Sequence, residues 1–199
     1  SAFLVTIILN ELLTRRSRKE RLEKLNMVIG TFFSEVGTTL LAEISDCDPG
    51  LGGIRKRLLV RDTWQDQEFD DLKVFLQGYH YDIDINKIEI RELTSFLNEK
   101  RNFLLRLLEN PVLLEHQMFT ETLRSVFHLT EELERRSGSG ELPPSDLSHI
   151  NGDLVRVYRN ISIQWVDYMK YLKKNYPYLF SLAIRTNPFD QEASVIVRK

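Results

Sequence analysis

Residues 22–45 read LEKLNMVIGTFFSEVGTTLLAEIS. Leu22, Leu25, Ile29, Phe32, Val36, Leu40 and Ile44 recur at steps of three and four, the spacing that lines one face of an α-helix. The pattern predicts a long helix that buries a single stripe. Gly30, Ser34 and Gly37 fall on a neighbouring face. Glycine costs about 1 kcal/mol against alanine inside a helix, so small residues at this spacing point to close approach of another helix. These three are the expected helix-contact residues, facing either another helix of the same chain or a second copy. The run DCDPGLGG at 46–53 should end the helix, since proline and glycine break the ladder.

Upstream, residues 2–13 (AFLVTIILNELL) are almost wholly apolar and residues 15–21 (RRSRKER) are strongly basic. A bilayer core takes about 20 apolar residues in a helix. This run is shorter, so it reads as the inner end of a longer membrane helix; the alternative is a soluble helix whose apolar end packs on the body. A cleaved signal peptide has its basic residues before the apolar run, the reverse of this order. Lys and Arg collect on the cytoplasmic flank of membrane helices. Arg15, Arg16, Arg18, Lys19 and Arg21 are therefore the expected membrane-surface residues, set against an anionic membrane surface, with Lys24 beside them. The expected location is the cytoplasmic face of a membrane, the inner membrane in a bacterium.

Downstream, helical periodicity continues. A helix over 62–79 places Phe69, Leu72, Phe75 and Tyr79 inward, with Asp62 as its N-cap. HYDIDI at 80–85 alternates like a strand but has no partner, and reads as an extended connector. A third helix spans 86–109. Pro111 opens a fourth, which runs to about 136. SGSGELPP at 137–144 is a linker. Ser145 or Asp146 caps a fifth helix through about 175, on Leu147, Ile150, Leu154, Val157, Ile161, Trp165, Tyr168 and Leu172. A short sixth helix covers 178–184. The expected fold is an all-α bundle of five to six mostly antiparallel helices with a long N-terminal helix. Residues 1–13 form the end of a membrane helix, 14–24 a basic juxtamembrane stretch, 25–188 the bundle and 189–199 a tail.

Composition narrows the chemistry. Net charge is −2, so a nucleic-acid-binding role lacks its usual basic excess. The single cysteine, Cys47, excludes an internal disulfide, and its neighbours Asp46 and Asp48 should raise the thiol's pKa and make it a poor nucleophile. The segment Gly50-Leu51-Gly52-Gly53-Ile54-Arg55-Lys56 has Arg where a dinucleotide fingerprint needs glycine. It also lacks the Gly-Lys-Ser/Thr of a P-loop, so it reads as a plain loop. No two of His80, His116, His128 and His149 share the i, i+4 spacing of a helical zinc site. His128 precedes Glu131 and Glu132 by three and four residues, which suits charge pairing on a helix surface. No catalytic, cofactor-binding or metal-binding residue is assigned from the sequence.

Two segments, LNMVIGTFFSE at 25–35 and RTNPFDQEASVIV at 185–197, resemble parts of uncharacterised prokaryotic membrane-anchored proteins. The resemblance implies an anchored cytosolic domain and carries no site residue. The function expected is a non-enzymatic interaction or regulatory domain, meeting a membrane surface and a second copy or protein partner. The alternative is an enzyme or ligand-sensing bundle built from scattered polar residues.

Overall fold

The computed structural model describes residues 2–140 and 142–197, leaving Ser1, Glu141, Arg198 and Lys199 outside, and is all-α. A single rod begins the chain: α1 (Ala2–Phe32), a π-helical turn (Phe33–Gly37) and α2 (Thr38–Ser45) follow one another without a break. Then come α3 (Leu51–Leu58), α4 (Asp66–Gly78), α5 (Ile90–Leu108), α6 (Gln117–Arg136), α7 (Pro144–Asn175) and α8 (Pro177–Arg185). Short 3-10 turns occupy Ile85–Lys87 and Pro111–Glu115. No strand occurs among the described residues.

The π turn follows from the apolar spacing. From Phe32 the stripe advances in steps of four, to Val36, Leu40 and Ile44. A step of four overshoots a 3.6-residue turn by about 40°. Holding all these side chains inward would carry the stripe around the rod, and one wider turn resets it. Phe32, Phe33, Val36, Leu40, Leu41 and Ile44 are all buried as a result. The Phe32 ring packs edge-on against Phe33 at 5.3 Å and against Phe119 of α6 at 5.5 Å, while Phe33 stacks on Tyr168 of α7 at 4.9 Å. Such aromatic pairs contribute about 0.5–1.5 kcal/mol each beyond burial.

Helix α7 is the centre of the bundle and touches α1, α2, α4, α6 and α8. Residues Ile161, Ser162, Ile163, Gln164, Trp165 and Val166 are buried in unbroken succession. A helix apolar on one face only would leave some of these in water; burial all round belongs to a helix enclosed by others. Lys73 of α4 donates to both carboxylate oxygens of Asp167 at 2.8 and 2.7 Å, and Lys170 donates to Asp70 at 2.7 Å, fixing α4 along α7.

Several helix starts differ from those the sequence suggests. Residues 51–58 are helical rather than loop, because Leu51 and Leu58 both reach the core. Arg55 donates to the Phe189 carbonyl at 3.0 Å and meets Asp46 at 3.3 Å. Gln65, not Asp62, caps α4, in a reciprocal box with Glu68. The Asn110 carboxamide caps the 3-10 turn at Pro111, and α6 starts only after His116, whose Nδ1 accepts from the Phe119 amide at 3.2 Å. Asp146 does not cap α7; it is held by Arg136 through bonds of 2.7 and 2.8 Å, and Pro144 supplies the first turn. Beyond α8, Phe189 is buried against Trp165 at 5.3 Å, and Asn187 donates to the Leu58 carbonyl at 2.9 Å.

The two rod glycines differ in what surrounds them. A Cβ on Gly37 would stand 2.7 Å from Phe32 and 2.8 Å from Phe33, rings already fixed in the core. A Cβ on Gly30 would lie 3.4 Å from the Tyr168 hydroxyl, an ordinary contact. Gly37→Ala should therefore lower stability by about 1–3 kcal/mol through overpacking. Gly30→Ala should be neutral or stabilising by up to about 1 kcal/mol through helix propensity. Chemical denaturation of both variants checks this, and equal loss at the two positions would contradict the ring contact as the reason for Gly37.

Candidate functional site

The outer part of the rod carries the first candidate surface. Val5, Ile7, Ile8, Leu9, Leu12 and Leu13 are each at least 50% exposed, the last 63%. Apolar side chains thus surround an element that nothing in the described chain covers. Next along the rod, residues 14–24 hold six cations against two carboxylates. Arg15 pairs with Glu11 at 2.9 Å, Arg16 with Glu20 at 3.1 Å and Lys19 with Glu23 at 3.9 Å. These i, i+4 pairs support the helix by a few tenths of a kcal/mol each and leave the cationic groups in solvent. Arg18 and Arg21 turn toward the body, where with Leu22, Lys24, Val112 and His116 they border an open groove of about 880 Å³.

The small-residue face lies further along. Gly30 faces the Tyr168 ring of α7, Ser34 is exposed, and the close neighbours of Gly37 are Phe32 and Phe33 of its own rod. Gly30 and Ser34 border a second groove, of about 820 Å³, between the rod, α7 and α8, with Tyr168, Tyr176, Leu179 and Leu182 on its other walls. Of the three, Gly30 thus meets a side chain of another helix, Tyr168 of α7, beside an open groove.

A third constellation joins α6 to α7. Asp153 is buried, at 2% exposure, and its Oδ1 accepts from Arg156 at 2.7 Å. Its Oδ2 has no hydrogen-bond partner. Facing that oxygen are His128 Nε2 at 3.4 Å and His149 Nε2 at 3.6 Å, and His149 also stands 3.5 Å from Glu132 Oε2. Arg136 bridges Glu132 and Asp146, and lowers the pKa of both carboxyls chiefly through those hydrogen bonds. The sequence alone does not assign this cluster. Its signal is a pair of His-x-x-x-carboxylate spacings, His128 to Glu132 and His149 to Asp153, on consecutive helices; a search restricted to His–His spacing passes over it.

Elsewhere, several buried polar groups tie the loop after α2 to the body. Cys47 is buried, and its thiol pKa is raised by burial first and by Asp46 next. Asp48, also buried, accepts from the Tyr79 hydroxyl at 2.9 Å and from the Gly50 amide at 2.7 Å. Tyr79, Tyr81 and Tyr158 stack edge to face behind it at 5.0 and 4.8 Å.

These features define an all-α domain built on one projecting helix, with an apolar end and a cationic belt. The chain belongs to the family described as "Uncharacterized protein MJ1433, C-terminal helical domain", whose profile matches residues 21–185. It is similar to uncharacterized protein MJ1433 of Methanocaldococcus jannaschii, with 48% identity over 193 residues, covering 97% of this chain and 77% of that protein. No solved structure matches the chain.

The buried tyrosines give the fold a defined alkaline limit. Burial raises the pKa of Tyr79, Tyr81, Tyr158 and Tyr168 above the ordinary phenol range, and Tyr171 is pushed up to about 12 by burial and by Tyr176. The folded chain therefore keeps protons that the unfolded chain gives up near pH ~10. This stabilisation is whole below that pH and is lost as pH rises through the raised values. Denaturant midpoints should hold steady from neutrality to pH ~9 and then fall, in step with late tyrosinate absorbance. Free titration of all the tyrosines in the folded protein near pH ~10 would contradict their burial.

Proposed function

We propose that this is a membrane-anchored helical interaction domain, held at the cytoplasmic face by its first helix and acting through binding rather than catalysis. The observation that carries this reading is the exposed apolar end of α1 followed at once by the basic belt. In water, an exposed run of Val, Ile and Leu is costly, at roughly 25 cal/mol per Å² of apolar surface. In a bilayer the same side chains are solvated by lipid tails and the helix keeps its backbone bonds satisfied. Within Ile7–Ser45 the part long and apolar enough to cross a membrane by length and composition is the inner half, which is bundle core, so the reading rests on the exposed outer turns alone. The helix thus enters the bilayer with its outer turns, and Arg15, Arg16, Arg18, Lys19 and Arg21 meet anionic headgroups. Each such cation contributes about 1 kcal/mol near the surface. The bundle then stands in the aqueous phase, offering its surfaces to a second copy or another protein.

Co-sedimentation with vesicles tests this. Wild-type protein should bind phosphatidylglycerol vesicles more tightly than phosphatidylcholine vesicles, and less tightly as salt screens the belt. Replacing the five cations by Gln should weaken anionic-vesicle binding by about fivefold per charge at low salt. Replacing Ile7, Ile8 and Leu12 by Ser should weaken binding to both vesicle types. Unchanged binding in both variants would refute the anchored reading.

A further inference from the structure

We infer that His128, His149 and Asp153 form a binding site for a first-row divalent transition ion, Zn²⁺ being the type case, clamping α6 to α7. The inference is independent of any membrane role. Three observations carry it. First, Asp153 is a carboxylate buried in the helix interface with one oxygen satisfied by Arg156 and the other, Oδ2, without a hydrogen bond and faced by the two imidazoles. A buried anionic oxygen left bare is costly, and cations relieve that cost.

Second, the spacing suits an ion better than direct hydrogen bonds. The two imidazole Nε2 atoms stand 3.4 and 3.6 Å from Oδ2, and the three ligating atoms lie within 4.8 Å of one another. An N–H···O bond favours about 2.9–3.0 Å. A tetrahedral zinc ion with bonds of 2.0–2.1 Å sets its ligands roughly 3.4 Å apart. The His–Asp distances already match this edge, and the two imidazoles need only close toward each other.

Third, the ligands come from secondary structure that is already fixed. His149 and Asp153 are one turn apart on α7, and His128 faces them from α6. The connecting segment passes through Gly138 and Gly140, both at positive φ, so the helices are joined by a turn while the cluster sits on their packed faces. Two nitrogens and one carboxylate oxygen favour Zn²⁺, Co²⁺ or Ni²⁺ over Mg²⁺ or Ca²⁺, which prefer all-oxygen shells. Both imidazoles are about half exposed, so the fourth position opens to water. Glu132 stands beside that opening, held by Arg136. Arg156 braces the far oxygen of Asp153, an outer-shell contact that orients the ligand.

The test uses the full chain free of any polyhistidine tag. Calorimetric titration with Zn²⁺ should give one ion per chain and a raised unfolding temperature, and Co²⁺ should give the intense visible absorption of a four-coordinate site. His128→Ala and His149→Ala should each weaken Zn²⁺ binding by about 100-fold or more, beyond the 10- to 100-fold typical of losing an outer-shell partner. Both positions are half exposed, so the metal-free variants should keep the wild-type circular dichroism. His80→Ala, at an exposed histidine remote in sequence, should bind as wild type does. Failure of wild-type protein to bind Zn²⁺ at micromolar concentration, or equal binding by the wild type and both variants, would overturn the assignment. Octahedral Co²⁺ spectra in the wild type would overturn its geometry.

Discussion

Burial of α7 on every side is the constraint that organises this molecule. A helix that keeps a polar face can sit at the edge of a bundle; residues 161–166 leave α7 no such face. It must be enclosed, and the other helices are placed by that requirement. Helices α4 and α6 flank it, α8 folds back along its end, and the inner rod lies across it through Phe33 and Tyr168. At the margin of the enclosure Lys73 and Lys170 reach across to carboxylates on the neighbouring helix.

The rod meets this centre under a second constraint. Its inner half must keep two adjacent phenylalanines buried while its apolar stripe advances four residues at a time. A uniform α-helix cannot do both, and the wide turn at Phe33–Gly37 reconciles them. Gly37 belongs to that solution: the turn brings the two rings where any side chain on residue 37 would stand. Its scarcity of bulk therefore reflects crowding within the rod, whereas Gly30 faces the Tyr168 ring at ordinary contact distance.

Much of this architecture is legible from residue spacing. The stripes of α5, α6 and α7, the linker after Arg136 and the unpaired HYDIDI segment all follow from local pattern. What local pattern misses has specific causes. Helix α3 contains two adjacent glycines that argue for loop, and its stability comes from Leu51 and Leu58 reaching a core that sequence does not display. Asp146 looks like a cap, but the guanidinium of Arg136, ten residues earlier, binds it more strongly than a backbone amide would. The histidine cluster is divided between two helices, so its chemistry exists only once α6 and α7 are aligned. The exposed hydrophobic run at the start of the chain is the opposite case. Its character is plain in the sequence, and the fold adds that the described body leaves it uncovered.

The unbroken rod also has a mechanical consequence. From Ala2 to Ser45 the chain is helical throughout, a span of about 66 Å at 1.5 Å per residue. It contains no proline. At its inner end the rod is wedged by Phe32 against α6 and by Phe33 against α7. The one compliant point is the wide turn, which holds one residue more than an α-turn requires. Closing that wide turn to an ordinary α-turn would rotate the outer segment by about 100° against the bundle while keeping the backbone hydrogen-bonded. The same turn that seats two aromatic rings in the core therefore also sets the angle at which the outer helix leaves the bundle.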